Sequence, residues 1–452
     1  MATRFFSVFS IALTAILSLV LVGCGGGGSG SSGGSLVLGG VVTGLSPGAS
    51  LVLQNDLNTV TITTNGVYNM APVSSSALYS VHVVVQPAGE TCTVANGSGR
   101  ISASVFNANV TCTRIAGSFA YALNNLGSSS TGSISAFTMA SGALTALSSG
   151  GVVPTGTSPS AMALDSHGSY LYVTNQVDNT VSTYSVSATT GALTASGGAV
   201  ATGTGPSAIA IDPSGSYAFV INQTDQTISS YKIVNHALVA ASPSPTTATT
   251  SSTLNAITVD PTGTYVYAVD GNDKVWVYSI LKPSGQLSTG TSYALPSGSN
   301  PGALVMRPGG LAAYTANVSN ASVSELTFDS VAGGLLSTVS QPADLGTHSV
   351  AVDPNGTYLL ALNADVVTAT FFALDPITGA PAAGVETTSL GTSVDHLANI
   401  VLDPTGAFAY TTNQSDGKVY AFTVNATAGT LTPLGSVATP GPVAFLTSIG
   451  PH

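Results

Sequence analysis

From residue 115 onward the chain repeats itself, and a repeat of this length leaves few folds open. The turn segment Asp165-Ser166-His167-Gly168-Ser169-Tyr170 returns as Asp212-Pro213-Ser214-Gly215-Ser216-Tyr217 and Asp260-Pro261-Thr262-Gly263-Thr264-Tyr265. It returns again as Asp353-Pro354-Asn355-Gly356-Thr357-Tyr358 and Asp403-Pro404-Thr405-Gly406-Ala407-Phe408, with Arg307-Pro308-Gly309 in the remaining place. The anchors at 165, 212, 260, 307, 353 and 403 stand 47, 48, 47, 46 and 50 residues apart. A short apolar strand such as Ala161-Met162-Ala163-Leu164 precedes each turn. Tyr170-Leu171-Tyr172-Val173-Thr174-Asn175, a polar turn, Thr180-Val181-Ser182-Thr183-Tyr184 and a Gly-Ala-Leu-Thr strand follow it. Four strands in about 48 residues are the content of one propeller blade.

The number of blades follows from the ends. The second strand occurs seven times, beginning at Phe119, Tyr170, Tyr217, Tyr265, Ala312, Tyr358 and Phe408. The first strand also occurs seven times, but its last copy is Pro442-Val443-Ala444-Phe445-Leu446, while residues 117–150 have none of their own. The simplest closure pairs this C-terminal strand with the N-terminal ones and removes the exposed edges. An open solenoid is the alternative, and the complementary half-blades argue against it. The expected fold over 115–452 is therefore an all-β, seven-bladed β-propeller. Inner strands buried on both faces account for Ala/Val-rich strands with little alternation.

Before the repeat, residues 35–114 hold short strands such as Leu51-Val52-Leu53 and Val81-His82-Val83-Val84-Val85, broken by the turn dipeptides Asn65-Gly66 and Asn96-Gly97. A small β-sandwich closed by a Cys92–Cys112 disulfide is expected there. The segments Leu51-Val52-Leu53-Gln54-Asn55, Asn65-Gly66-Val67-Tyr68 and Thr91-Cys92-Thr93-Val94-Ala95-Asn96-Gly97 resemble an Ig-like module of bacterial envelope proteins. That resemblance implies a spacer or adhesion role. Further upstream, Arg4, an uncharged run from Phe5 to Val22 and Leu21-Val22-Gly23-Cys24 resemble a bacterial lipoprotein signal. Residues 1–23 are read as a signal peptide, with an uncleaved anchor as the alternative. Residues 24–34 are read as the lipidated Cys24 and a Gly/Ser tether. The expected location is the cell envelope, lipid-anchored, with the outer membrane favoured where there is one.

Composition narrows the partners. Of 452 residues only 27 are charged (8 Lys+Arg and 19 Asp+Glu), and the net charge is −11. Eight cations cannot neutralise a phosphate backbone, so nucleic acid is excluded. Ser, Thr, Asn and Gly supply the polarity, as suits strands and turns. A monomer, with an envelope protein, a glycan or a small ligand as partner, is expected.

The blades resemble the YVTN and lactonase types of seven-bladed propeller, and Tyr172-Val173-Thr174-Asn175 carries the first name letter for letter. The resemblance covers residues 115–450 and specifies fold more than function, because the group includes lactone-hydrolysing enzymes, lactone-forming cycloisomerases and non-enzymatic envelope proteins. It implies, for enzymatic members, a Pro-Arg-His segment in an inner strand and a Glu after a second strand. The corresponding segments here are Pro159-Ser160-Ala161, Pro206-Ser207-Ala208, Leu254-Asn255-Ala256, Pro301-Gly302-Ala303, Thr347-His348-Ser349 and Leu397-Ala398-Asn399. At the Glu position stand Gln176, Gln223, Gly271, Val318, Ala364 and Gln414. Arg307 is the propeller's one Arg, in a repeat turn.

The weak catalytic candidates are His348, His396 and Asp395, near one rim of the channel, as a general base or a metal ligand set. Solvated loop histidines are the simpler reading, and no metal or cofactor is expected. Asp178, Asp225, Asp273 and Asp416 are read as turn caps rather than calcium ligands, and Trp276 as packing. The leading expectation is a non-catalytic binding platform; the alternative is a lactonase-like hydrolase or isomerase acting on a lactone or sugar acid.

Overall fold

The computed structural model describes residues 35–449, apart from 46–49, 56–57, 86, 88–89, 115–118, 126, 128–129, 149–150, 242–245, 248–252, 309–311, 330–331, 376–377, 388–389 and 391–396. The proposed leader and Cys24 lie outside the described residues. Every regular element among those described is β-strand.

The N-terminal region has two main sheets. One orders Gly66–Asn69, Gly39–Thr43, Val110–Arg114 and Glu90–Val94; the other orders Asn58–Ile62, Leu51–Asn55 and His82–Val85. Alternation in Leu51–Asn55 turns Leu51 and Leu53 inward, where they share a core with Leu38, Val42 and Val110. Cys92 and Cys112 face each other across an antiparallel pair and are joined by a disulfide (S–S 2.04 Å). The small, disulfide-closed sandwich is thus present.

Seven further sheets follow, each with an inner strand paired to a second strand. The inner strands of blades 2 to 7 are Pro159–Leu164, Pro206–Ile211, Leu254–Val259, Pro301–Met306, Thr347–Val352 and Leu397–Leu402. Blade 1 takes its inner strand from the C-terminus: Val443–Ile449 pairs antiparallel with Phe119–Asn124, Phe119 opposite Ile449. The inner strands adjoin in sequence order, and Pro159–Leu164 also adjoins Val443–Ile449, which closes the ring.

Packing closes the ring independently. Seven separate apolar clusters lie between consecutive blades. The cluster at the seam joins Ala120, Ala122 and Phe137 of blade 1 to Tyr410 and Val419 of blade 7. Each second strand serves two clusters: Leu171 and Val173 face blade 1, while Tyr172 faces blade 3. This two-sided burial explains why these strands read as continuous apolar runs. Turn glycines fix the spacing. Gly142, Gly191, Gly285 and Gly333, all at positive φ, lie against Phe408, Phe119, Tyr217 and Tyr265 of the preceding blade, so closely that a Cβ would overlap each ring.

Candidate functional site

A second strand ends where its antiparallel inner strand begins, so each blade has two distinct ends. At one end lies the repeated Asp turn. Asp212 Oδ1 accepts the backbone N–H groups of Ser216 (2.7 Å) and Tyr217 (2.6 Å), Asp165, Asp260 and Asp353 repeat the arrangement, and Asp403 keeps the bond from Phe408 alone. Gly215 takes φ 66° as the turn requires. Arg307 sits at this end, where its Nη2 donates to the carbonyls of Gly356 and Asp375 in blade 6.

At the other end every second strand finishes on a buried carboxamide or carboxylate: Asn124, Asn175, Asn222, Asp270, Asn317, Asn363 and Asn413. Asn222 Nδ2 donates to Thr227 Oγ1 and Ser229 Oγ, both at 2.9 Å. The same pair of bonds recurs at Asn124, Asn175, Asn317 and Asn363. Blade 4 inverts the chemistry. Asp270 accepts on Oδ1 from the N–H groups of Asn272 and Lys274, and on Oδ2 from Trp276 Nε1 at 2.9 Å. Trp276 is therefore a hydrogen-bond donor as well as packing, a role that its place two residues after Lys274, in the Asn-x4-Thr-x-Ser frame, could have revealed.

This Asn end forms the mouth of the channel, and it coincides with the segments that resemblance marked for chemistry. Pairing slips by one residue at the start of each inner strand, which bulges out Ser160, Ser207, Asn255, Gly302 and His348. Bulges re-aim side chains. Here they aim at the next blade: Ser160 Oγ donates to Pro206 O (2.7 Å) and Asn255 Nδ2 to Pro301 O (2.9 Å). Ser207 Oγ is buried with no hydrogen-bond partner in the protein.

His348 falls into the same ring. Its Nδ1 lies 2.9 Å from Gly346 O and its Nε2 3.0 Å from Ala398 O of blade 7. Both ring nitrogens face carbonyl oxygens, and with a proton on Nε2 the side chain donates to Ala398 O and ties blade 6 to blade 7. Asp395 and His396 lie outside the described residues, so the three-residue cluster is not assembled among those described. Among the described residues no group of three His, Cys, Asp or Glu is placed to hold a metal.

Charge at the mouth is sparse and mostly negative. Asp178 Oδ2 accepts from Thr157 N (2.7 Å), Asp225 Oδ2 from Thr204 N (2.5 Å), and Asp273 from the N–H groups of Gly298 and Asn300, so these carboxylates cap loops as expected. Of the propeller's cations only Lys274 and Lys418 stand at this end. Lys418 pairs with Asp416 at 3.6 Å, and Lys274 lies over the Trp276 ring, 5.9 Å from its centroid. No cluster of cations is built that could grip a phosphate.

The seven-bladed ring, its closure and its mouth all lie within a region that a family model describes. Lactonase, 7-bladed beta-propeller, matches residues 82–237 and 234–447. The chain belongs to this family. No curated protein matches it. Among solved structures it is similar to a "putative 6-phosphogluconolactonase" from Bacteroides fragilis NCTC 9343, at 20% identity and TM-score 0.64, over 74% of this chain and 98% of that one. It is also similar to the periplasmic gluconolactonase of Pseudomonas aeruginosa, at 20% identity and TM-score 0.63, over 74% of this chain and 99% of that one. A protein from Lactobacillus plantarum shares 22% identity, with TM-score 0.61 over 74% of this chain and 99% of that one. These likenesses establish the fold.

Proposed function

We propose that this lactonase-family propeller hydrolyses an uncharged lactone of a sugar or related hydroxy acid at the Asn end of its channel. Family membership carries the reaction class, and it favours lactone chemistry over the non-catalytic platform expected from the sequence. The cation-poor mouth carries the substrate class, because a phosphate or carboxylate would meet uncompensated Asp178, Asp225 and Asp365 instead of an arginine.

Hydrolysis adds water across the acyl–oxygen bond, giving a hydroxy acid that releases one proton at neutral pH. The unpartnered Ser207 hydroxyl is a ready donor to a ligand oxygen, since an unsatisfied buried hydroxyl costs about 1–3 kcal/mol that a bound acceptor recovers. Asp395 and His396 take the general-base role assigned from the sequence. His348 is a positioning residue, holding the start of blade 7's inner strand. Cys24 and its leader place this activity at the cell envelope in the same proposal.

Proton release from uncharged lactones, measured in a pH-stat on the purified protein, tests the reading. Turnover above the spontaneous rate is expected, with a loss of at least 100-fold in an Asp395→Asn, His396→Ala double variant. A second reading, a lactone or glycan binder without turnover, is favoured by one observation: both nitrogens of His348 are engaged by carbonyls. Binding without proton release would establish it.

A further inference from the structure

The mouth is not symmetric, although the blades that form it are. At the position immediately after the buried Asn, blades 2, 3 and 7 carry Gln176, Gln223 and Gln414, and blade 1 carries Asn125. Blades 5 and 6 carry Val318 and Ala364. Two further aliphatic side chains are exposed in this second sector, Leu345 (60% exposed) and Val366 (38%), beside Val318 (38%); the first sector exposes one, Val177 (50%), next to Gln176.

These residues stand around one bulge of the ring, Leu345 as the chain neighbour of Gly346. A Cβ at Gly302 would lie 3.0 Å from Val318 Cγ2 and 3.6 Å from the carbonyl oxygen of His348. His348 reaches back to Gly346 O, which also accepts the N–H of Ala364 (3.1 Å). A Cβ at Gly346 would lie 2.6 Å from Asp365 N. Val318, Gly302, His348, Gly346 and the Ala364–Val366 turn are therefore contiguous around one bulge of the ring. Gly302 is also the only bulged position of blades 2 to 6 without a side chain, and Val318 Cγ2 packs into the space a Cβ would take.

Exposed aliphatic side chains scattered singly need no explanation, but three gathered at the lip of a ligand channel mark a binding surface. The polar arc suits hydroxyl and carbonyl groups, while the aliphatic arc has nothing to offer them. Asp344 and Asp365 border that arc and disfavour an anion. We infer that the ligand is two-sided: an uncharged lactone whose ring lies toward the amide arc and whose hydrocarbon substituent packs on Val318, Leu345 and Val366. The inference rests on the lactone reading above and names its substrate class.

The test measures kcat/KM on the whole protein for δ-valerolactone, δ-octalactone and δ-undecalactone, with glucono-1,5-lactone as the fully hydroxylated comparison. Binding of the matching 6-alkyl-2-piperidones, lactams that resist hydrolysis, is measured in parallel by calorimetry. The arc predicts a rise with chain length of up to roughly fourfold for each methylene buried. That slope should flatten in a Val318→Gln, Leu345→Asn variant and persist in Leu434→Asn, a solvent-facing leucine on blade 7's outer strand. Turnover without chain-length dependence, or with glucono-1,5-lactone preferred, would overturn the inference and leave the hydrolase reading standing. Chain-length-dependent lactam binding without turnover would uphold the inference and overturn the hydrolase. Neither turnover nor lactam binding would overturn both.

Discussion

Asp270 shows how a single side chain can change the chemistry of a repeat without changing its shape. In blades 1, 2, 3, 5 and 6 an amide donates to two hydroxyls; here a carboxylate accepts from two backbone N–H groups on one oxygen and from an indole on the other. An Asn has one acceptor oxygen and can serve only one of those sides. Asp270→Asn should therefore cost about 1–3 kcal/mol in denaturant unfolding, although Asn is what the repeat carries elsewhere. An unchanged midpoint would mean that the indole bond contributes nothing.

Glu325 presents the opposite case, a buried carboxyl where the equivalent register positions hold Thr183, Ser230 and Ala421. Burial pushes its pKa up, and Arg307 nearby offsets this only in part. A raised folded pKa means that the protonated form favours the fold, and that this contribution is lost as pH rises through the folded value. Glu325→Gln should then raise Tm at pH 7 and give no gain below about pH 4.5, where both states are protonated. A lower Tm for the variant at pH 7 would show that attraction to Arg307 outweighs burial. Asp270's partner was legible only by laying blade 4 on the Asn-x4-Thr-x-Ser frame, and Glu325's was not legible at all. Trp276 read as packing and Arg307 as an odd turn residue, because each contact joins positions that only the strand register brings together.

At the scale of elements, the turn glycines connect the blades. Gly142 combines φ +82° with a ring of Phe408 where its Cβ would go, across the seam between blades 1 and 7. Gly197 has a similar φ of +74° but open space around it. Gly197→Ala should cost about 1–2 kcal/mol of backbone strain, and Gly142→Ala should cost about 1–3 kcal/mol more for the overlap. Equal costs in urea unfolding would remove the seam contact from the account.

The strands themselves were legible because the repeat supplied internal comparison. Seven copies of the second strand, and a seventh first strand displaced to the C-terminus, left ring closure as the simplest arrangement, and Val443–Ile449 pairs as that reasoning requires. The bulge at the start of each inner strand was not legible. It shifts register by one residue and, although Pro159, Pro206 and Pro301 open three of the strands, no residue type marks it in every blade; it decides that Ser160, Asn255 and His348 turn toward a neighbouring blade.

For the whole molecule, sequence and structure agree on the lactonase-family propeller and on a mouth poor in cations. They part over His348, which read as a candidate base and stands as a tie between blades. The Arg and Glu that the resemblance implied are replaced around the ring by hydroxyls, amides and aliphatic groups, and the proposed function takes an uncharged substrate on that ground. Proton-release kinetics with glucono-1,5-lactone and its 6-phosphate, side by side, test this most directly. The account predicts a higher kcat/KM for the uncharged lactone, with a gap that narrows as salt screens the mouth carboxylates. Preference for the 6-phosphate, or no turnover of any uncharged lactone, would contradict it.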